Sequence, residues 1–210
     1  MPHVVLLGDS IFDNAAYTRG GPDVIAQVRE HAPEGWTATL LAVDGATTQG
    51  VPAQLRRLPD DATHLVVSAG GNDALAYVNV LYQPAGSVAE AMHTLAELAG
   101  EFERRYREML DGVLRRGLPT AVGTIYNPRF PDPDEQRGAV AALSLFNDAI
   151  LRAAFEAGVP VLDLRLICSD DRDYANPIEP SSHGGDKIAR AILRLAAGHD
   201  FARRRTEVYL

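Results

Sequence analysis

Three short polar segments in this 210-residue chain have side chains suited to acyl chemistry, and each follows an apolar run. Ser10, in Gly-Asp-Ser, carries a hydroxyl that becomes a nucleophile when a neighbouring base takes its proton. Gly45 can turn its backbone N–H towards a developing oxyanion, and Asn72, in Gly-Gly-Asn-Asp, offers a neutral amide donor for the same charge. Taken alone, each segment is equally typical of an ordinary turn or helix cap. Their combination points to a nucleophile with oxyanion donors.

Short apolar runs alternate with longer amphipathic stretches along the chain, which is the pattern of βαβ units and a parallel sheet. Strands are predicted at 3–8, 36–42, 63–69, 119–125 and 159–163, and helices at 22–31, 51–57, 88–116, 135–157 and 183–197. Right-handed crossovers between the strands predict a three-layer α/β/α sandwich with a five-stranded parallel sheet of the flavodoxin-like type, in one domain over residues 1–210. Ligands bind outside the carboxyl ends of such strands, so the three polar segments are expected to meet at one rim of the sheet.

Gly8-Asp9-Ser10, Gly45 and Gly70-Gly71-Asn72-Asp73 together resemble the SGNH (GDSL-type) hydrolase family, and the order of strands and helices fits that fold over most of the chain. The resemblance implies a nucleophilic Ser10. It also implies an oxyanion hole made by the N–H groups of Ser10 and Gly45 and the amide of Asn72. The function it implies is a lipase-like serine esterase that hydrolyses an ester or small acylated substrate through an acyl-enzyme at Ser10.

The last part of the chain departs from the family pattern, in which Asp-x-x-His precedes the final helix. By spacing to that helix, Asn176 stands where Asp is usual and Glu179 where His is usual, and His183 follows one helical turn later. Three interpretations remain open. Glu179 is itself the base, with a pKa raised by burial; or His183 is the base and Glu179 orients it; or the site has no competent base. Glu179 is also typical of a helix cap, and His183 of a surface histidine.

Two further functions remain open beside ester hydrolysis. One is a non-catalytic SGNH-like binding protein that keeps the oxyanion pocket, and the other is an acyltransferase to a sugar or another alcohol.

Two connections after the third and fourth strands, 74–86 and 126–136, are expected to overhang the rim near Ser10. The first is unusually apolar for a connection. Their aromatic residues could wall an acyl site or pack against the scaffold; these are Tyr77, Tyr82 and Phe130. Arg129 could bind an anionic group of the substrate or an acidic neighbour.

Composition narrows the function classes. The formal net charge is -8, from 20 basic and 28 acidic residues, which disfavours nucleic acid as a partner. Cys168 is the only cysteine, so no intramolecular disulfide is expected.

The N-terminus lacks the pattern of a secretory signal, and no apolar run is long enough to predict a membrane span, so a cytoplasmic location is expected. The other histidines show no metal-ligand spacing and no nucleotide-binding motif appears, so no metal or cofactor is expected. The expected partner is a small-molecule ester or acylated substrate, and the oligomeric state is not indicated.

Overall fold

The computed structural model describes all 210 residues and contains a six-stranded, fully parallel sheet beside a small antiparallel hairpin. The strands are β1 (His3–Gly8), β2 (Thr37–Leu40), β3 (His64–Ser68), β4 (Thr120–Gly123), β5 (Val161–Leu162), β6 (Tyr174–Asn176), β7 (Glu179–Pro180) and β8 (Val208–Tyr209). The order in the main sheet is β2-β1-β3-β4-β5-β8, and β6 pairs with β7. The predicted α/β/α sandwich is confirmed, with one strand more than expected. The additional strand, β8, has two residues, too few to produce a sequence pattern.

Seven α-helices cover the two faces of the sheet. They are α1 (Val24–His31), α2 (Val51–Leu55), α3 (Gly71–Leu75), α4 (Val88–Leu114), α5 (Pro133–Ala157), α6 (Leu164–Ile167) and α7 (Ser182–Gly198). Single 3-10 turns lie at Ala15–Tyr17, Val78–Tyr82 and Asp171–Asp173. The segment 74–86 expected as a plain connection therefore contains the end of α3 and the second of these turns.

The two faces of the sheet have separate hydrophobic cores because successive side chains of a strand point to opposite sides. Val4 and Leu6 of β1 belong to the core that includes α1 and α7. Val5 and Leu7 belong to the core that includes α2, α4 and α5. Burial on both sides explains why the central strands are almost continuously apolar.

Helices α4 and α5 are much longer than the strands beside them. With 27 and 25 residues they extend about 40 Å, whereas β3, with five residues, extends about 17 Å. The buried residues of α4 begin only at Phe102, so its first 14 residues, 88–101, stand beyond the sheet. Both helices follow strand ends, and their first halves therefore overhang the carboxyl rim.

By length and composition, α5 is the one helix that could cross a membrane, contrary to the expectation that no apolar run is long enough. Its most apolar 18-residue window has a mean hydropathy of 1.3, and 39% of that window is buried. In the structure α5 packs against α4 and contributes Phe146 and Ile150 to a hydrophobic core. Core helices meet the same criterion, so α5 is only a weak indication of a membrane span.

Candidate active site

Ser10 lies directly after β1 because the chain turns sharply at Gly8. Gly8 has φ +125°, and a Cβ at this position would lie 1.7 Å from the carbonyl oxygen of Ser68. Only glycine can therefore occupy the position. After the turn, the N–H of Asp9 donates to the Ser68 oxygen at 3.1 Å, which fixes the start of the Ser10 loop against β3.

The three polar segments are tied to one another by side-chain hydrogen bonds. Gln54 of α2 holds both backbone groups of Gly8, accepting from its N–H at 2.8 Å and donating to its carbonyl oxygen at 2.7 Å. Asp73 accepts from the N–H and the hydroxyl of Thr48, at 2.9 and 2.7 Å. Asn72 donates through Nδ2 to the carbonyl oxygen of Ala46 at 2.9 Å. The loops after β1, β2 and β3 thus form one connected rim.

The hydroxyl of Ser10 donates a hydrogen bond to Oε1 of Glu179, with an Oγ–Oε1 distance of 3.1 Å. Both residues are 7% exposed. The second carboxylate oxygen, Oε2, is buried and has no hydrogen-bond partner. The Glu179 carboxylate thus accepts one side-chain hydrogen bond, from the Ser10 hydroxyl. At this distance a carboxylate can take the proton of a hydroxyl.

Glu179 is held at this position by the β6–β7 hairpin, whose backbone is anchored on both sides of it. The buried Asn14 donates through Nδ2 to the carbonyl oxygen of Pro180 at 3.2 Å, and the hydroxyl of Tyr126 donates to that of Ile178 at 2.5 Å. Asn14 belongs to the loop that follows Ser10. The hairpin and the loop that follows Ser10 are therefore joined directly, which sets the separation of Ser10 and Glu179.

Two carboxyl groups near Ser10 bind protons more tightly than usual. Burial raises the pKa of Glu179 from 4.5 to about 7, and the nearby negative charge of Asp44 adds to the effect, while the Ser10 hydrogen bond opposes it. Burial also raises the pKa of Asp9 to about 8, with further contributions from the charges of Glu179 and Asp73. Both carboxyl groups therefore keep their protons to a higher pH than free carboxyl groups do, chiefly because they are buried.

His183 neither contacts Ser10 by a hydrogen bond nor lines the cleft that contains it. It is in the first turn of α7, its side chain is 49% exposed, and its Nε2 is 3.7 Å from Oδ1 of the buried Asp173. Asp173 is already paired with Lys187 Nζ, at 2.7 Å. The cap of α7 is Ser181, which accepts from the N–H groups of residues 183 and 184, whereas Glu179 is not a cap. The structure thus brings Glu179, and not His183, to the serine.

Each of the three segments carries a candidate oxyanion donor, and two of the segments line the cleft. The N–H groups of Ser10 and Gly45 donate no hydrogen bond within the protein. Asn72 lines the cleft that contains Ser10, and its contact with Ala46 uses one of its two amide hydrogens. Gly45 does not line this cleft; it is exposed, with φ +77°, on the loop that Asn72 holds.

Ser10 and Glu179 lie in a cleft of about 990 Å³, including the space at its open mouth. Of its 24 lining residues, 17 are hydrophobic. Tyr77 and Phe130 are among them, as the sequence suggested, but Tyr82 is not and is 66% exposed. Arg129 is paired with Asp171 and lies over the ring of Tyr174, so its guanidinium group interacts with an acidic neighbour, one of the two roles expected for it.

Several positioning residues carry no distinctive sequence signal, among them Asn14, Thr48, Gln54 and Tyr126. Each is a common residue type whose role depends on a contact across the chain. No group of three or more His, Cys, Asp or Glu side chains could hold a metal ion.

The fold and site define a class: a doubly wound α/β protein with a serine–carboxylate pair at the strand ends, beside an apolar cleft. Comparison with family models matches residues 6–187 to the GDSL-like Lipase/Acylhydrolase family. The chain therefore belongs to this family, as the sequence resemblance indicated.

Solved structures with the same fold include three proteins of low sequence identity. A lipase from a goat rumen metagenome has a TM-score of 0.70 at 18% identity, covering 96% of this chain and 100% of its own. Phospholipase A1 from Streptomyces albidoflavus has a TM-score of 0.66 at 16% identity, covering 93% and 98%. A carbohydrate acetylesterase from Sinorhizobium meliloti has a TM-score of 0.62 at 14% identity, covering 94% and 99%. The comparison with curated proteins finds no match.

Proposed function

We propose that this protein is a serine ester hydrolase in which Ser10 is the nucleophile and Glu179 is the base. The observation that carries the proposal is the 3.1 Å contact between the Ser10 hydroxyl and Glu179 inside the cleft. Membership of a lipase/acylhydrolase family supports it, as do relatives named lipase, phospholipase A1 and carbohydrate acetylesterase. The proposed substrate is a small-molecule ester.

In the first half of the reaction, Oε1 of Glu179 takes the Ser10 proton while Oγ attacks the ester carbonyl carbon. The carbonyl π electrons move to oxygen and form a tetrahedral oxyanion. When the bond to the alcohol oxygen breaks, that oxygen receives the proton from Glu179 and leaves as an alcohol. Ser10 is left acylated. A carboxylate serves as this base because burial raises its pKa to about 7, much closer to the working pH than that of an ordinary glutamate.

In the second half, Glu179 takes a proton from a water molecule as that water attacks the acyl carbon. A second oxyanion forms and collapses, and the proton passes from Glu179 to Oγ of Ser10. The products are a carboxylic acid and the original enzyme. The unpartnered Oε2 of Glu179 is a free acceptor for the attacking water or the leaving alcohol.

The oxyanion of both steps is proposed to accept hydrogen bonds from the N–H groups of Ser10 and Gly45 and from Nδ2 of Asn72. Because these donors are neutral, they stabilise the oxygen chiefly when its charge develops. Asp73 and its contacts with Thr48 hold two of the loops together, so the donors are positioned before substrate binds.

Replacing Asn72 with alanine is expected to lower kcat by about two to three orders of magnitude, the usual cost of one lost oxyanion donor. The measurement is steady-state hydrolysis of a p-nitrophenyl ester, with the exposed Asn79→Ala as the matched control. A change confined to KM would mean that Asn72 contributes to substrate binding alone.

A fluorophosphonate probe tests the proposal directly because it reacts with activated serines. We expect the folded protein to be labelled on Ser10, as mapped by peptide mass spectrometry, and heat-denatured protein to remain unlabelled. Labelling should be slower at pH 5 than at pH 8, since Glu179 is protonated at the lower pH. A folded protein that is neither labelled nor active on esters would support the non-catalytic binding protein instead.

A further inference from the structure

The cleft beside Ser10 has an arm that the proposed reaction does not use. This arm lies between the first halves of α4 and α5, and its lining residues on these two helices are Leu95, Leu98, Ala139, Ala142, Leu143 and Phe146. The arm exists because both helices continue past the carboxyl rim of the sheet. In the overhanging part of α4 no residue is fully buried, and Leu95 and Leu98 of this part line the cleft.

Polar and apolar groups are separated along the cleft. Its charged, hydroxyl and amide side chains, tyrosines apart, all lie at the strand ends or on the hairpin beside them; these are Asp9, Ser10, Ser68, Asn72 and Glu179. The lining from α4 and α5 contains none. The hydroxyl of Tyr77 is already engaged with Glu101 and Arg105. The arm therefore offers no partner for a sugar hydroxyl or a charged headgroup, and burying such a group there would be unfavourable.

An aromatic pair forms the inner wall of the arm, where the two helices reach the hydrophobic core. Phe146 is 5% exposed, and its ring centroid is 4.9 Å from that of Phe102 in the core. Between Ala139 and Phe146 the lining of α5 spans seven residues, or about 10 Å along the helix axis. This is the scale of a medium-length alkyl chain.

We infer that the arm between α4 and α5 binds the acyl chain of the substrate and that the protein acts on esters of medium-chain fatty acids, of about eight carbons. The inference rests on the proposed function, because a carbonyl carbon at Ser10 directs its acyl chain into the continuous apolar lining. Ala139 and Ala142 determine specificity, since their small side chains leave the space that the alkyl chain occupies.

The experiment compares kcat/KM for p-nitrophenyl acetate, butyrate, octanoate and dodecanoate. Burial of one methylene favours binding by up to about fourfold, so octanoate is expected to exceed acetate by about 100-fold or more. Dodecanoate should gain little further, because its chain is longer than the apolar lining of about 10 Å. Equal rates for acetate and octanoate would overturn the inference and leave the proposed function standing. Absence of both ester turnover and probe labelling would instead refute the proposed function.

Ala142→Phe tests the site of binding. It is expected to remove at least tenfold of the preference for octanoate over acetate, because the added ring occupies the space assigned to the alkyl chain. The matched control is Ala141→Phe, which adds the same ring at the neighbouring, exposed position of α5 and should keep the wild-type preference. If Ala142→Phe does not fold, Leu95→Asn on the half-buried face of α4 makes the same test by placing a polar group in the arm. Unchanged chain-length preference in a folded variant of either kind would contradict the assignment.

Discussion

Replacement of Ser10 by alanine is expected to reduce ester hydrolysis by about 10⁶-fold, to the background of a colorimetric assay. The reason is that no other hydroxyl contacts Glu179, so the acyl-enzyme cannot form elsewhere. The variant should fold normally, because the change removes one oxygen from a side chain at the wall of a cleft. Its circular dichroism and thermal melting are measured beside its activity on p-nitrophenyl butyrate.

The matched control is Ser144→Ala, which removes the hydroxyl of an exposed serine on α5 outside the cleft and should keep full activity. The alanine variant also has a physical signature beyond lost turnover. The Ser10 hydrogen bond lowers the pKa of Glu179, so its loss should move that pKa further upward. Turnover by Ser10→Ala comparable to that of the wild type would eliminate Ser10 as the nucleophile.

Glu179→Gln is expected to lower kcat/KM by about two to four orders of magnitude, whereas His183→Ala should stay within about threefold of the wild type. Glutamine keeps an oxygen that can accept the Ser10 hydrogen bond, but it cannot take the proton. His183 is half-exposed and faces Asp173, so its removal leaves the serine and its base in place. Glu97→Gln, at an exposed position on α4, is the control for loss of one negative charge.

The pH profile accompanies this comparison. The reactive form of Glu179 is the carboxylate, and its raised pKa of about 7 means that the protonated form dominates below that value. Activity should therefore fall tenfold per pH unit below about 7 and level off above it. If His183→Ala instead costs nearly as much as Ser10→Ala, and Glu179→Gln costs little, the base is His183. If both variants keep wild-type turnover, neither residue is the base.

The sheet and its rim were predictable because their signals are local. Runs such as Val4-Val5-Leu6-Leu7 identify a strand buried on both faces, and the glycine after β1 is required by a turn that no Cβ permits. The two-residue strand β8 was missed because its parallel pairing with β5 is a tertiary contact. The 3-10 turn at Val78–Tyr82 was missed because its apolar residues form no regular period.

The environment of Glu179 was not predictable in the same way. Spacing placed Glu179 just before the last helix, a position equally typical of a cap, and left its role beside that of His183 open. The side chain is buried because residues 174–180 form a hairpin whose ends are held by Asn14 and Tyr126. These anchors are 166 and 52 residues away from their partners in the chain. Contacts over such separations depend on the completed fold and leave no pattern in a single sequence.

Because α4 and α5 overhang the sheet, the residues around Ser10 and the apolar arm are held in place by different parts of the structure. Ser10, Asn72 and Glu179 lie on short segments that hydrogen bonds of Gln54, Asp73 and Asn14 join to β1, to the loop after β2 and to the hairpin. On the α4 side, the apolar arm is built from helix turns that contribute little to the cores, since residues 88–101 include no buried side chain. The acyl-chain selectivity of such a protein is separable from its reaction. Lengthening, shortening or repacking the two helix extensions can change which acyl chain is accepted, while the arrangement of Ser10 and Glu179 is preserved. Substitutions in residues 88–101 of α4 are therefore expected to cost little folding stability.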